Sequence, residues 1–182
     1  MQTAKIASAA AILFLFSITV SYGADVAKIG VVDFQRITEV SSAGKSADAE
    51  MRSQYEKIVA DLKKKGTELE ELEKRFKREA LVMGRKMREE KEREIEIKKL
   101  DFNSLEKKYK EELRALNIRL ANRIKKDLYE LIEEIGRKEG YLLIIEKREA
   151  GVLYSPTAID ITDKLIPQYN KKVAQQAKKD KK

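Results

Sequence analysis

Apolar residues along the middle of the chain recur at steps of three and four. They run Tyr55, Ile58, Leu62, then Leu69, Leu72, Phe76, Ala80, Met83 and Met87. The rhythm lapses until about Ile95 and resumes at Phe102, Leu105, Tyr109, Leu113, Leu116, Leu120, Ile124, Leu128, Leu131 and Ile135. Each run is one apolar stripe on a helix otherwise covered by Lys, Arg and Glu. The pattern predicts a long antiparallel helical hairpin, an arm over residues 45–136 with its tip near 81–94. A helix of ~40 residues is ~60 Å long, more than a compact domain needs, so the arm must project. The three-four-four spacing of the second helix is nearer an eleven-residue repeat than a strict heptad, which predicts loosely wound helices.

The flanks have a different rhythm. Ala27 to Asp33 is β-branched and reads as a short strand. Phe34 to Val40 reads as a short helix, with Ser41 or Ser42 capping the long one, which is placed to start near Lys45. Gly140 is placed just past the end of the second arm helix. Tyr141 to Ile145 predicts a second strand and Gly151 to Tyr154 a third, both expected to be covered on both faces because apolar residues fall on consecutive positions. Asp160 is placed as the cap of a short helix, Ile161 to Ile166, which Pro167 ends or kinks. The fold class is therefore mainly α with a small β body: residues 24–44 and 137–170 form a β-rich oligomerisation body from which the arm projects. A lysine-rich tail, 171–182, is expected to be disordered. A body of about fifty residues is small for a lone core. Self-association through Ile29, Val31, Leu142 and Ile144 would resolve this.

The N-terminus adds an address. Lys5 precedes an uncharged apolar run, Ile6 to Val20, and Ser21-Tyr22-Gly23 presents small residues at the two positions a signal peptidase reads. A signal peptide over 1–23, cut after Gly23, is expected, and the mature chain is exported. An uncleaved anchor would instead tether a structural coiled-coil spacer, although the run is short for a spanning helix of ~20 residues.

Composition removes whole classes of chemistry. With no cysteine and no histidine, the chain has no Ser-His or Cys-His nucleophile and no thiolate or imidazole metal site. Neither metal nor cofactor is expected. Gly44-Lys45-Ser46 imitates the end of a phosphate-binding loop, but that pattern needs glycine at position 39 and finds Glu39. Pairs such as Glu89-Glu90 and Glu133-Glu134 sit among bases, as surface ion pairs do. No enzyme is expected. Charged residues are 38% of the chain and the net charge is +8. Nine bases face four acids between Lys74 and Arg93. Lys77, Arg78, Arg85, Lys86 and Arg88 are therefore candidates for contact with acidic clients, anionic lipid or lipopolysaccharide. The basic balance alone implies only salt-dependent, non-specific nucleic-acid binding.

Lys28 to Ser46, KIGVVDFQRITEVSSAGKS, resembles the opening strand and turn of the Skp/OmpH family of periplasmic chaperones. The charged hairpin, the Tyr141 to Glu146 segment YLLIIE and the closing Asp160-Ile161-Thr162 fall in that family's order. The resemblance implies a homotrimer whose three hairpins enclose a cavity and hold unfolded outer-membrane proteins without ATP, in the periplasm. Pro167 and the lysine tail depart from the family pattern. A holdase needs weak, distributed apolar contacts, and the candidates are Phe76, Met83, Met87, Ile95, Ile97 and Phe102, methionine being especially adaptable. Stripe periodicity alone would make most of these hairpin core. Ile97 lies off the stripe and is the best candidate for an exposed contact.

Overall fold

A computed structural model describes residues 27–179. The signal segment, with its cut after Gly23, and residues 180–182 lie outside the described residues. Strand β1 (Ile29–Val32) leads through Asp33 into helix α1 (Phe34–Val40). Asp33 caps that helix, its carboxylate accepting from the Arg36 N–H at 3.0 Å. One residue then serves two helices. The Ser41 N–H donates to Ile37 O at 2.9 Å, closing α1, while its hydroxyl accepts from the Gly44 N–H at 3.1 Å, opening α2 (Ser42–Glu79). The long helix thus begins at Ser42, three residues earlier than expected. The corner is tight because a Cβ on Gly44 would lie 1.5 Å from the Thr38 carbonyl oxygen. Only glycine lets the two helices cross there.

Helix α2 is 38 residues long and α3 (Arg85–Glu139) is 55, about 57 and 82 Å at 1.5 Å per residue. They are joined by a short turn, Ala80 to Gly84. Gly140 ends α3 in the left-handed region, at φ 70°, as its position after the last helical turn implied. The Leu142 N–H then meets Lys28 O at 2.8 Å, and strand β2 (Leu143–Glu146) pairs parallel to β1, with Ile29 opposite Leu143 and Val32 opposite Glu146. The whole arm is therefore the crossover between two adjacent parallel strands. After a 3₁₀ turn (Thr157–Ile159), the Ile161 N–H bonds Val31 O at 2.9 Å along the other edge of β1. Helix α4 (Thr162–Lys179) follows.

The core joins Val32, Ile37, Ile124, Leu128, Leu131, Ile135, Ile161, Leu165 and Tyr169. Four of these belong to α3, so the body extends well up the second arm helix, past the boundary expected near residue 137. Tyr169 is wholly buried, and burial pushes its hydroxyl up to about 12.

Three expectations fail. Gly151 to Tyr154 is not a strand. It has no partner strand among the described residues, and Leu153 is 100% exposed. Nor is β2 covered on both faces, since Leu143 is half exposed and Leu142 is 73% exposed. Finally, α4 runs through Pro167 and converts most of the supposed tail, as far as Lys179, into helix. Pro167 lies on the exposed side, so the Asp163 carbonyl it leaves unbonded can face water. Leu165, Tyr169 and Val173 repeat every four residues and carry the helix along the body.

The two glycines of α2 should respond oppositely to a methyl group. Gly44→Ala should destabilise the chain by about 2 kcal/mol or more through forced separation of α1 and α2. A Cβ at Gly66 would meet only the Phe102 ring at 3.7 Å. Gly66→Ala should therefore stabilise by up to about 1 kcal/mol. Urea unfolding of the two variants measures both.

Candidate functional site

The arm is best built at its root and loosens outward. On α2 the buried residues are Gly44 and Ile58. On α3 they are Ile95 and then the run from Leu116 to Ile135. Between Ile58 and the tip on one helix, and between Ile95 and Leu116 on the other, apolar side chains are only half covered. Three polar contacts cross the arm, one just rootward of this stretch and two within it. Glu50 meets Arg119 at 3.6 Å, the Tyr109 hydroxyl donates to Asp61 at 2.6 Å, and Lys99 pairs with Glu73 at 2.6 Å. They recur about every three helical turns and hold the two helices in register. The bond to Asp61 raises the Tyr109 pKa, since the donated proton is needed for it. The Lys99 ammonium correspondingly holds the Glu73 carboxyl below its usual range.

Two grooves open between the helices in the loose stretch. One, of about 520 Å³, has Leu69, Leu72, Phe102 and Leu105 as its apolar floor, with Lys65 and Arg75 among the charges on its walls. The other, of about 460 Å³, exposes Phe76 beside Ile95, Lys77 and Glu96. Of the apolar candidates, Phe76 and Phe102 thus line grooves, half covered. Ile95 is buried, so it belongs to the hairpin core and has little surface to offer. Met83 is half covered, Met87 is exposed, and Ile97 is 53% exposed, as its place off the stripe implied. Leu100 lies one turn on from Ile97 and is equally open. Its off-stripe position could have been read in the same way. Leu81 and Val82, 87% and 88% exposed at the extreme tip, had no periodic signal because they sit in the turn.

The five basic candidates divide by what they already bind. Arg85 pairs with Glu89 at 2.9 Å. The Arg88 guanidinium donates to Ala80 O at 2.6 Å and so closes the carbonyl end of α2 across the tip. Lys77, Arg78 and Lys86 are exposed and form no ion pair among the described residues. Of the four body residues proposed for self-association, Ile29 and Leu142 are exposed, whereas Val31 is 2% exposed and Ile144 packs on the core. Val31 spends its surface inside its own chain and has none to offer a partner.

A strand, a helical corner, a long hairpin and a parallel return strand, in that order, match a known family. The family model of outer membrane protein (OmpH-like) matches residues 28–169. The chain belongs to the OmpH-like family. It is 24% identical over 156 residues to chaperone protein Skp of Photorhabdus luminescens, covering 85% of this chain and 93% of that one. The Skp of Photorhabdus laumondii subsp. laumondii matches with the same identity and coverage. In fold, the chain is similar to a solved OmpH-like outer membrane chaperone from Caulobacter crescentus. The TM-score is 0.75 at 17% identity, over 82% of this chain and 88% of that one.

The packing gradient along this OmpH-like arm predicts an exchange gradient. Amide hydrogens should exchange fastest at the tip and progressively more slowly toward Ile58 and Leu116. Tyr109→Phe, which removes the middle cross-arm bond, should speed exchange around Asp61 and Tyr109 and leave the root unchanged. In the parent chain the same loosening should appear as pH rises through the raised Tyr109 pKa, because the contact exists only while the phenol is protonated. Hydrogen-exchange mass spectrometry at matched intrinsic rates reads both.

Proposed function

We propose that this chain is an ATP-independent holdase for unfolded outer-membrane proteins, acting in the periplasm after loss of a signal peptide. The observation that carries it is the half-covered stretch of the arm, where Phe76, Phe102 and Leu105 lie in shallow grooves and Ile97 and Leu100 lie open. An unfolded β-barrel chain exposes alternating apolar side chains and unpaired strand edges. Many shallow contacts restrain such a chain without selecting one conformation of it. The names of the Skp relatives and of the OmpH-like neighbour support the chaperone assignment, and the Lys5, Ile6 to Val20, Ser21-Tyr22-Gly23 pattern supports export.

The working unit in this reading is a homotrimer joined at the body. Ile29, Leu142 and Leu143 are exposed apolar groups at the sheet, and among the described residues no strand pairs with the outer edge of β2. Three arms would then surround a common space. The unpaired bases Lys77, Arg78 and Lys86 sit near the arm ends, where they would attract acidic clients, anionic lipid or lipopolysaccharide phosphate and steer encounter more than hold the complex.

The primary test is light scattering of a denatured outer-membrane protein diluted into buffer with and without the mature chain, in the absence of nucleotide. Suppression of scattering is expected, and undiminished scattering refutes the holdase reading. Removing Leu72 to Phe102 to shorten the hairpin should leave a trimer in sedimentation. A monomer would place the assembly contacts in the arms. Changing Lys77, Arg78 and Lys86 together to Gln should slow association with an acidic client by roughly tenfold at low salt, with dissociation little changed. Raising salt should slow the parent toward the variant.

A further inference from the structure

The match to the OmpH-like family ends at residue 169, yet helix α4 continues to Lys179. This added stretch does not trail into solvent. At its start the Asn170 side-chain oxygen accepts from both the Ser42 N–H, at 2.8 Å, and the Ser42 hydroxyl, at 3.0 Å, at the first residue of α2. Two residues on, the Lys172 ammonium reaches Glu130 at 2.9 Å and Asp127 O at 3.5 Å on α3. Val173 packs on the core, and Val173 and Ala177 line a cavity shared with Ala43, Ala47, Leu120 and Ile124. The extension therefore touches both arm helices where they leave the body, while Leu165 and Tyr169 root its other half in the core.

From these contacts we infer that residues 170–179 are a brace that fixes the angle at which the arm leaves the body. Without it, the arm is held by the Ser41 to Gly44 corner on one side and by the α3 residues from Ile124 downward on the other. The brace ties these two supports to one another, and Val173 and Ala177 carry it a turn farther out, opposite Ala47 and Leu120. Its ten residues are ~15 Å long as helix. Beyond Leu120 the arm still has ~50 Å to run, so a rotation of about 10° at the root moves the tip by roughly 9 Å. The space between arms is thereby set by a segment far from any client contact. Its seat is incompletely filled, with a cavity of about 140 Å³ under Val173 and Ala177. The brace limits the swing of the arm without locking it.

This inference is independent of what the arm binds, and its test needs no client. The chain has no cysteine, so Lys86→Cys at the tip and Ala158→Cys on the exposed body turn can be spin-labelled alone. Labelled chain is diluted into unlabelled chain to isolate distances within one protomer. In the full-length protein, Val173→Asp should broaden the tip-to-body distance distribution, and a chain ending at Asn170 should do the same. Amides around Ala47 and Leu120 should exchange roughly tenfold faster, what partial burial of one valine corresponds to, while Val31 and Val32 keep their protection. An unchanged distribution in both variants overturns the proposal, leaving the extension a passive appendage. Loss of protection at Val31 and Val32 also overturns it, because the segment would then be body core and not a brace.

Discussion

Everything in this molecule depends on four residues of β1 lying parallel to four residues of β2, with the entire arm between them in sequence. A parallel pair demands a crossover, and here the crossover is the whole projecting arm. The entropy of closing so long a connection grows only with the logarithm of its length, and the hairpin reduces it further by bringing the chain back to its starting point. Two strands alone are too few to be stable. The pair survives because α1, α3 and α4 pack Ile37, Leu128, Ile135 and Leu165 around Val32. The start of the pairing is tied a second time: the Lys28 ammonium lies 4.0 Å from the centre of the Tyr141 ring, and Glu139 accepts from both Lys28 and Lys164. Those two ammonium groups, Lys164 first, hold the Glu139 carboxyl below its usual range.

Packing and polarity divide the labour along the arm. Near the root, a continuous buried seam from Leu116 to Ile135 makes α3 part of the body. Farther out, burial gives way to cross-arm polar contacts, which set register but contribute little cohesion in water. An arm of this kind keeps its direction at one end and its compliance at the other. A seam buried to the tip would have hidden Phe76 and Phe102. Without the contacts of Glu50, Asp61 and Glu73, only the half-covered apolar stripe would hold α2 and α3 in register there.

The long elements were legible in the sequence because they obey one period over many turns. Ile58, Leu116, Leu120 and Ile124 are buried where the stripe put them, and Gly140 takes the left-handed conformation that its place after Glu139 required. Tyr55 was misplaced, since it shares the stripe's spacing yet lies on the outward side of α2, over half exposed. The added turns of α4 were hidden for another reason. Its contacts come from Asn170, Lys172, Val173 and Ala177, two polar residues and two small apolar ones that among lysines and glutamines read as solvated. The role of Arg88 was equally invisible, because capping the far helix across the tip depends on the turn's geometry and not on any neighbour in sequence. Gly151 to Tyr154 is apolar enough for a strand but has no partner strand among the described residues.

The regular spacing of the cross-arm contacts has a consequence for how such a molecule can change size. Glu50, Asp61 and Glu73 climb one helix as Arg119, Tyr109 and Lys99 descend the other. Matched insertions of about three turns in both helices would add another rung and leave every contact below it in place, with the strands undisturbed. Deleting a matched pair would shorten the arm as cleanly. Arm length is thus a modular quantity, uncoupled from the fold that anchors it, and lineages could rescale the reach of the arm without redesigning the body.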